Sequence, residues 1–278
     1  MMASPYKITK LTHTMHSNSL RRIRGLYLHY LYSVKRNPAR IIEMFVWPAF
    51  EIILFGFLAA SGKNKPAEAE AMGVIILTGI VYWNCTARVI QEAVAQFTDD
   101  FVSKNIQGIL VAPVTMGELL IGVTAAALTK IAISLVVLGG VLAFIYPSFF
   151  STLGIHTLFW IFQLELVGVA FSYISLAIVL LFGERVSFSG WLISTILQIF
   201  SLVFYERTAL PGILSTISYA VPSSYVFETI RAYQHGDPLI TTGQIIALAL
   251  SATYITMGFG LVNASFVFAK KIGTIIKS

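Results

Sequence analysis

The chain has 278 residues, 56% of them hydrophobic and only 12% charged, with a formal net charge of +6 and a mean hydropathy of +0.79. Soluble domains carry roughly 25% charged residues, so half that share excludes an ordinary water-facing globule and points to a membrane. The positive charge does not imply a nucleic-acid partner, because the basic residues flank apolar runs rather than forming a patch of their own.

In chain order, residues 1–40 form a basic cytoplasmic segment. Leu20, Ile23, Leu26/Tyr27, Tyr30/Leu31 and Val34 recur at helical spacing, with Arg21, Arg22, Arg24 and His29 largely elsewhere on the wheel. This predicts an amphipathic helix in the membrane interface, its arginines drawn to anionic headgroups. A helix packed on a protein partner is the plainer alternative. Pro38 stops it just before the first apolar run, and no signal peptide is expected, since no short apolar core with a cleavage site is present.

Residues 41–278 make up the transmembrane domain. A crossing helix needs about 20 mostly apolar residues, and two such stretches follow, Ile41–Ala60 and Met72–Ala95, separated by "SGKNKPAEAEA". Next comes an elbow. "FTDDFVSKNIQGIL" offers Asp99 or Asp100 as the cap of a short helix, with Phe101, Ile106 and Ile109 or Leu110 as its apolar points. Pro113 ends it, and in "GILVAPVTMGELLIG" Thr115 and Glu118 fit a capping box that starts the third span, Leu119–Tyr146.

Three further spans are expected at Thr157–Phe182, Val186–Phe204 and Gln244–Phe268. Residues 212–234 are long enough to compete as a seventh, but Pro222 divides them into two pieces of about ten residues, too short to cross. They read as a re-entrant or interfacial helical pair on the outer face. Six spans leave both termini on one side, and both termini are basic, so the positive-inside rule places them in the cytoplasm. The fold class is therefore an all-α polytopic membrane protein, with the elbow between spans two and three on the cytoplasmic side.

Ionisable residues inside spans are costly. By rise per residue, Glu51 and Glu165 lie about 13 Å and about 12 Å from the outer ends, while Arg88 and Lys130 lie about 24 Å in. The two bases snorkel to the inner headgroups on the simplest reading. Glu51 and Glu165 either line a polar cavity or subunit seam or sit protonated in place. Gly117, Gly122 and the "TAAA" run at 124–127 permit close helix contact. No phosphate loop, dinucleotide fingerprint or HExxH motif occurs, and His13 and His16 find no further ligand, so the chain is expected to bind no cofactor or metal and not to be an enzyme itself. The single cysteine, Cys85, excludes an internal disulfide.

Four of these pieces, in order, carry a resemblance to the membrane subunit of type-2 ABC transporters, the ABC exporter permease family. They are the basic N-terminal helix ending in "RNPARIIEMFVWPAFEIILFGF", the elbow "GILVAPVTMGELLIG", the stretch "ALPGILSTISYAVPSSYVFETIRAY" before the last span, and the six-span count. The resemblance covers nearly the whole chain. It implies a permease in the cell membrane that pairs with a second copy, identical or related, and docks a separate ATPase subunit holding ATP and magnesium. The elbow would then be the coupling helix, with Asp99, Asp100, Phe101, Lys104, Ile106, Ile109, Leu110, Pro113 and Thr115 as docking residues and Glu118 at the hinge. The implied substrate is a lipid, drug or other amphipathic molecule, with polysaccharide or teichoic acid as the alternative. A secondary transporter would need two related halves with interrupted helices, and none is visible; a non-transporting scaffold is the remaining rival.

Overall fold

The computed structural model of the chain describes residues 5–36, 38–60, 67–103, 105, 108, 112–145 and 154–272. Among these residues there are nine α-helices and no strand: α1 (Pro5–Arg36), α2 (Pro38–Ala60), α3 (Ala67–Val102), α4 (Met116–Ile145), α5 (His156–Phe182), α6 (Ser189–Phe200), α7 (Gly212–Ser218), α8 (Pro222–Gln234) and α9 (Thr241–Ile272). An apolar chain in lipid has to bond its backbone to itself, which favours helices throughout.

Five segments are long and apolar enough to cross a membrane: Arg40–Leu58, Gly73–Val102, Met116–Ile145, His156–Val186 and Thr241–Lys271. They correspond to the first, second, third, fourth and sixth expected spans. The segments of α3 and α5 are 72% and 67% buried, against 17%, 28% and 22% for those of α2, α4 and α9. Two helices are thus the internal framework, and three turn apolar surface outward. Close approach explains the framework: a Cβ on Gly168 of α5 would stand 2.6 Å from Val89 Cβ on α3, so only glycine lets the two axes come so near.

The fifth expected span differs. Helix covers only Ser189–Phe200, about 18 Å at 1.5 Å per residue, and Ser201–Glu206 leave helical geometry, with Leu202 at φ 59°. α6 runs antiparallel to α3, from Gly190 beside Val94 to Val203 beside Gly79. The carbonyls at its frayed end are met by side chains. Arg231 of α8 donates to Leu202 O, Ser201 Oγ donates to Leu197 O at 2.6 Å, and Tyr205 Oη to Ile199 O. Side-chain partners of this kind allow a helix to stop early, and the one that comes from a distance, Arg231, is not displayed by a single sequence.

Residues 212–234 divide at Pro222 as expected, which sits in the first turn of α8, where its missing N–H costs nothing. Arg207 ties the pair together. It makes a two-point contact with Glu228 (2.9 and 3.0 Å), donates to Ser218 Oγ at 2.7 Å and lies 3.8 Å from the centre of the Tyr219 ring. α2 carries Pro48 within its length. Proline cannot bond the carbonyl four residues back, and the Met44 carbonyl so released accepts from Ser134 Oγ on α4 at 3.2 Å.

Candidate functional site

The elbow runs from the end of α3 to the start of α4, and α1 contacts both ends. At its α4 end the capping box forms as the sequence predicts: the Thr115 amide donates to Glu118 Oε2 (3.0 Å), and the Glu118 amide donates to Thr115 Oγ1 (3.2 Å). The same carboxylate receives Arg22 through Nε (3.0 Å) and Nη2 (2.6 Å), and Ser19 Oγ at 2.6 Å. Glu118 is only 6% exposed. A carboxylate that buried is tolerable because donors fill both oxygens. In return, the bond to Glu118 raises the Arg22 guanidinium further above its ordinary value.

At its α3 end the geometry corrects the sequence reading. α3 continues through Asp99 and Asp100, so neither caps a short helix; they occupy the last turn of a long one. Two carboxylates at a helix C-terminus oppose its dipole, and two bases offset them. Arg40 Nη2 lies 2.8 Å from Asp99 Oδ1, and His29 Nε2 lies 2.9 Å from Asp100 Oδ1. Burial, with the Asp100 charge beside it, holds the neighbouring Tyr30 hydroxyl well above its ordinary pKa. Phe101 is also committed inward, 2% exposed and edge-on to Phe97 at 5.2 Å. It continues the α3 core stripe, rather than serving as an apolar point of a separate helix.

Of the other expected docking residues, Pro113 and Thr115 are exposed, and Lys104, Ile106, Ile109 and Leu110 lie outside the described residues. Ala112 and Gly108 close a turn through an amide–carbonyl bond of 3.2 Å. Arg21 and Arg24 are exposed, whereas Arg22 is turned into the protein by Glu118. α1 itself packs through Leu26 and Tyr30 into the core formed by α3, α4 and α5. A Cβ on Gly122 would stand 2.7 Å from Leu26 Cβ, so the glycine marked for close contact supplies it.

Arg22 and His29 are seven residues apart, two turns along one face of α1. One helix therefore grips both ends of the elbow, Asp100 on the incoming side and Glu118 on the outgoing side. Ser19, His29 and Arg40 were not legible as partners; the i,i+7 spacing of Arg22 and His29 was the only available signal.

Glu51 accepts from Asn84 Nδ2 at 2.9 Å, and Glu165 is half-buried on α5. Lys130 pairs with Glu92 at 2.7 Å, an acid that span-by-span reading passed over. The side chains of His13 and His16 lie outside the described residues; among those described, no three His, Cys, Asp or Glu side chains come together as a metal site. Comparison with protein-family profiles and with curated proteins finds no match.

Proposed function

We propose that the chain is the membrane-spanning permease subunit of an ATP-driven exporter of the type-2 ABC class. It crosses the cell membrane six times, with both termini in the cytoplasm. In this reading α6 and residues 201–206 form a short fifth crossing, met from the outer side by α7 and α8. Two copies form the translocation unit, and each docks an ATPase subunit at the elbow.

The observation that carries the reading is the double grip of α1 on the elbow. A docking loop transmits force only if its ends are fixed to the elements it moves. Here the end of α3 is held by His29 and Arg40, and the start of α4 by Arg22, Ser19 and Thr115. Displacement of the loop by a closing ATPase dimer moves α1, α3 and α4 together. Pro113 lies exposed between the two anchors, available to a partner. The cargo that the resemblance implies for this chain is an amphipathic molecule such as a lipid or drug.

The test is co-purification with an ATP-hydrolysing subunit, followed by reconstitution. ATP hydrolysis appears only in the pair. Pro113→Ala is expected to lower substrate-stimulated hydrolysis and transport while insertion and assembly persist. Full coupling in that variant, together with its neighbour Val114→Asp, removes the assignment.

A further inference from the structure

Away from the elbow, three cations on three helices converge on one cleft. Arg40 on α2, Arg88 on α3 and Lys130 on α4, together with Glu43 and Glu92, line a cavity of about 40 Å³, room for about three waters. Two of them are engaged. Arg40 is held by Asp99 (2.8 Å) and Glu43 (3.4 Å), and Lys130, 3% exposed, by Glu92 at 2.7 Å. Arg88 makes no hydrogen bond or ion pair among the described residues; Glu51, Glu43 and Glu92 act on it only through their fields. Those acids already have donors in Asn84, Arg40 and Lys130. A guanidinium with its donor fork unused, partly removed from water, calls for an anion from outside the chain.

The cleft continues into a second space. Asn84, Leu135 and Leu138 line both the polar cleft and an apolar groove of about 470 Å³. Beyond them the groove is walled by Ile52 of α2, Leu142 of α4 and Leu158 of α5, and floored by Gly139. From Lys130 to Leu142 is twelve residues, about 18 Å along the α4 axis. One leaflet of hydrocarbon is about 15 Å deep, half of roughly 30 Å. The slot therefore has a polar end, where three cations outnumber Glu43 and Glu92, and an apolar length comparable with that of one acyl chain.

We propose that this slot binds one anionic phospholipid, with its phosphate on the Arg88 guanidinium and an acyl chain along Gly139 and Leu142. The polar end is too small for a helix of a second copy, which is about 10 Å across, and a zwitterionic headgroup leaves the Arg88 charge less fully matched. The site stands on charge and shape alone and does not depend on the transport reading.

Native mass spectrometry of the full chain, supplied with phosphatidylglycerol or phosphatidylcholine in mild detergent, tests it. One phosphatidylglycerol is retained per chain, and phosphatidylcholine is retained several-fold less. Arg88→Gln removes a charge-assisted contact and lowers phosphatidylglycerol retention roughly tenfold or more, to the phosphatidylcholine level; Arg88→Lys keeps part of the preference. A Cβ at Gly139 meets open space, so Gly139→Phe can direct its ring into the groove and is expected to lower retention of both lipids, whereas Gly140→Phe, equally open at its Cβ but outside the slot, changes neither. Equal retention of the two lipids by the unmodified chain overturns the proposal. So does wild-type retention in both Arg88→Gln and Gly139→Phe, or a change in dimer mass with lipid unaltered, the sign of a second copy covering the groove.

Discussion

At the scale of single residues, Glu118 combines two jobs that separate substitutions can pull apart. It closes the capping box that starts α4, and it anchors α1 through Arg22 and Ser19. Glutamine keeps an acceptor for the box but loses the charge that holds the guanidinium. Glu118→Gln is therefore expected to release α1, seen as faster tryptic cleavage at Arg22, while the start of α4 stays helical. Thr115→Ala does the reverse. It costs about 1 kcal/mol of stability through the lost cap, read as a lower unfolding midpoint in detergent, and leaves cleavage at Arg22 unchanged. The box was legible because its two members are three residues apart. The anchor was not, because Arg22 and Glu118 are 96 positions apart and nothing local links them.

At the scale of elements, the periodic signals carried far and the terminal ones less so. Five apolar runs became helices able to cross a membrane, and Pro222 divided the outer pair as its missing N–H requires. Asp99 and Asp100 misled because an acid near a helix end reads as an N-cap, and only Arg40 and His29, folded in from elsewhere, make it tolerable at a C-terminus. Helix contacts give sharper expectations. Gly122→Ala places a methyl 2.7 Å from Leu26 Cβ, so α1 has to shift, at a cost of about 1–3 kcal/mol. Gly140→Ala meets open space and is expected to stabilise α4 by about 0.5–1 kcal/mol. Thermal unfolding of the two variants in one detergent distinguishes a contact glycine from a merely permissive one. Ser134→Ala tests the device at Pro48: it removes the partner of the Met44 carbonyl and is expected to destabilise by about 0.5–1.5 kcal/mol. Ser134→Thr, which keeps the hydroxyl, recovers most of that loss.

For the whole molecule, everything about sidedness turns on whether α6 carries the chain across. Its twelve helical residues span about 18 Å against roughly 30 Å of hydrocarbon, so length alone favours a helix that turns back. Position argues otherwise. Val203 lies beside Gly79, one residue from Thr78, and Thr78 accepts from Gln234 at the end of α8. Tyr82, one turn further along α3, donates to Thr157 at the start of α5. The end of α6 thus reaches the level at which α5 begins, as the proposed fifth crossing requires. Parity makes the question measurable. Between Pro113 and Ile213 the chain runs through α4, α5 and α6: three crossings put the two residues on opposite sides, and two put them on the same side. Cys85 is the only native cysteine and is 1% exposed, so the unmodified chain is a silent background. With a membrane-impermeant maleimide on intact cells, Ile213→Cys, at a position 80% exposed, is expected to label at once. Pro113→Cys is expected to label only after permeabilisation. Labelling of both without permeabilisation would make α6 a hairpin arm and put the elbow outside, beyond the reach of any ATP-hydrolysing partner in the cytoplasm.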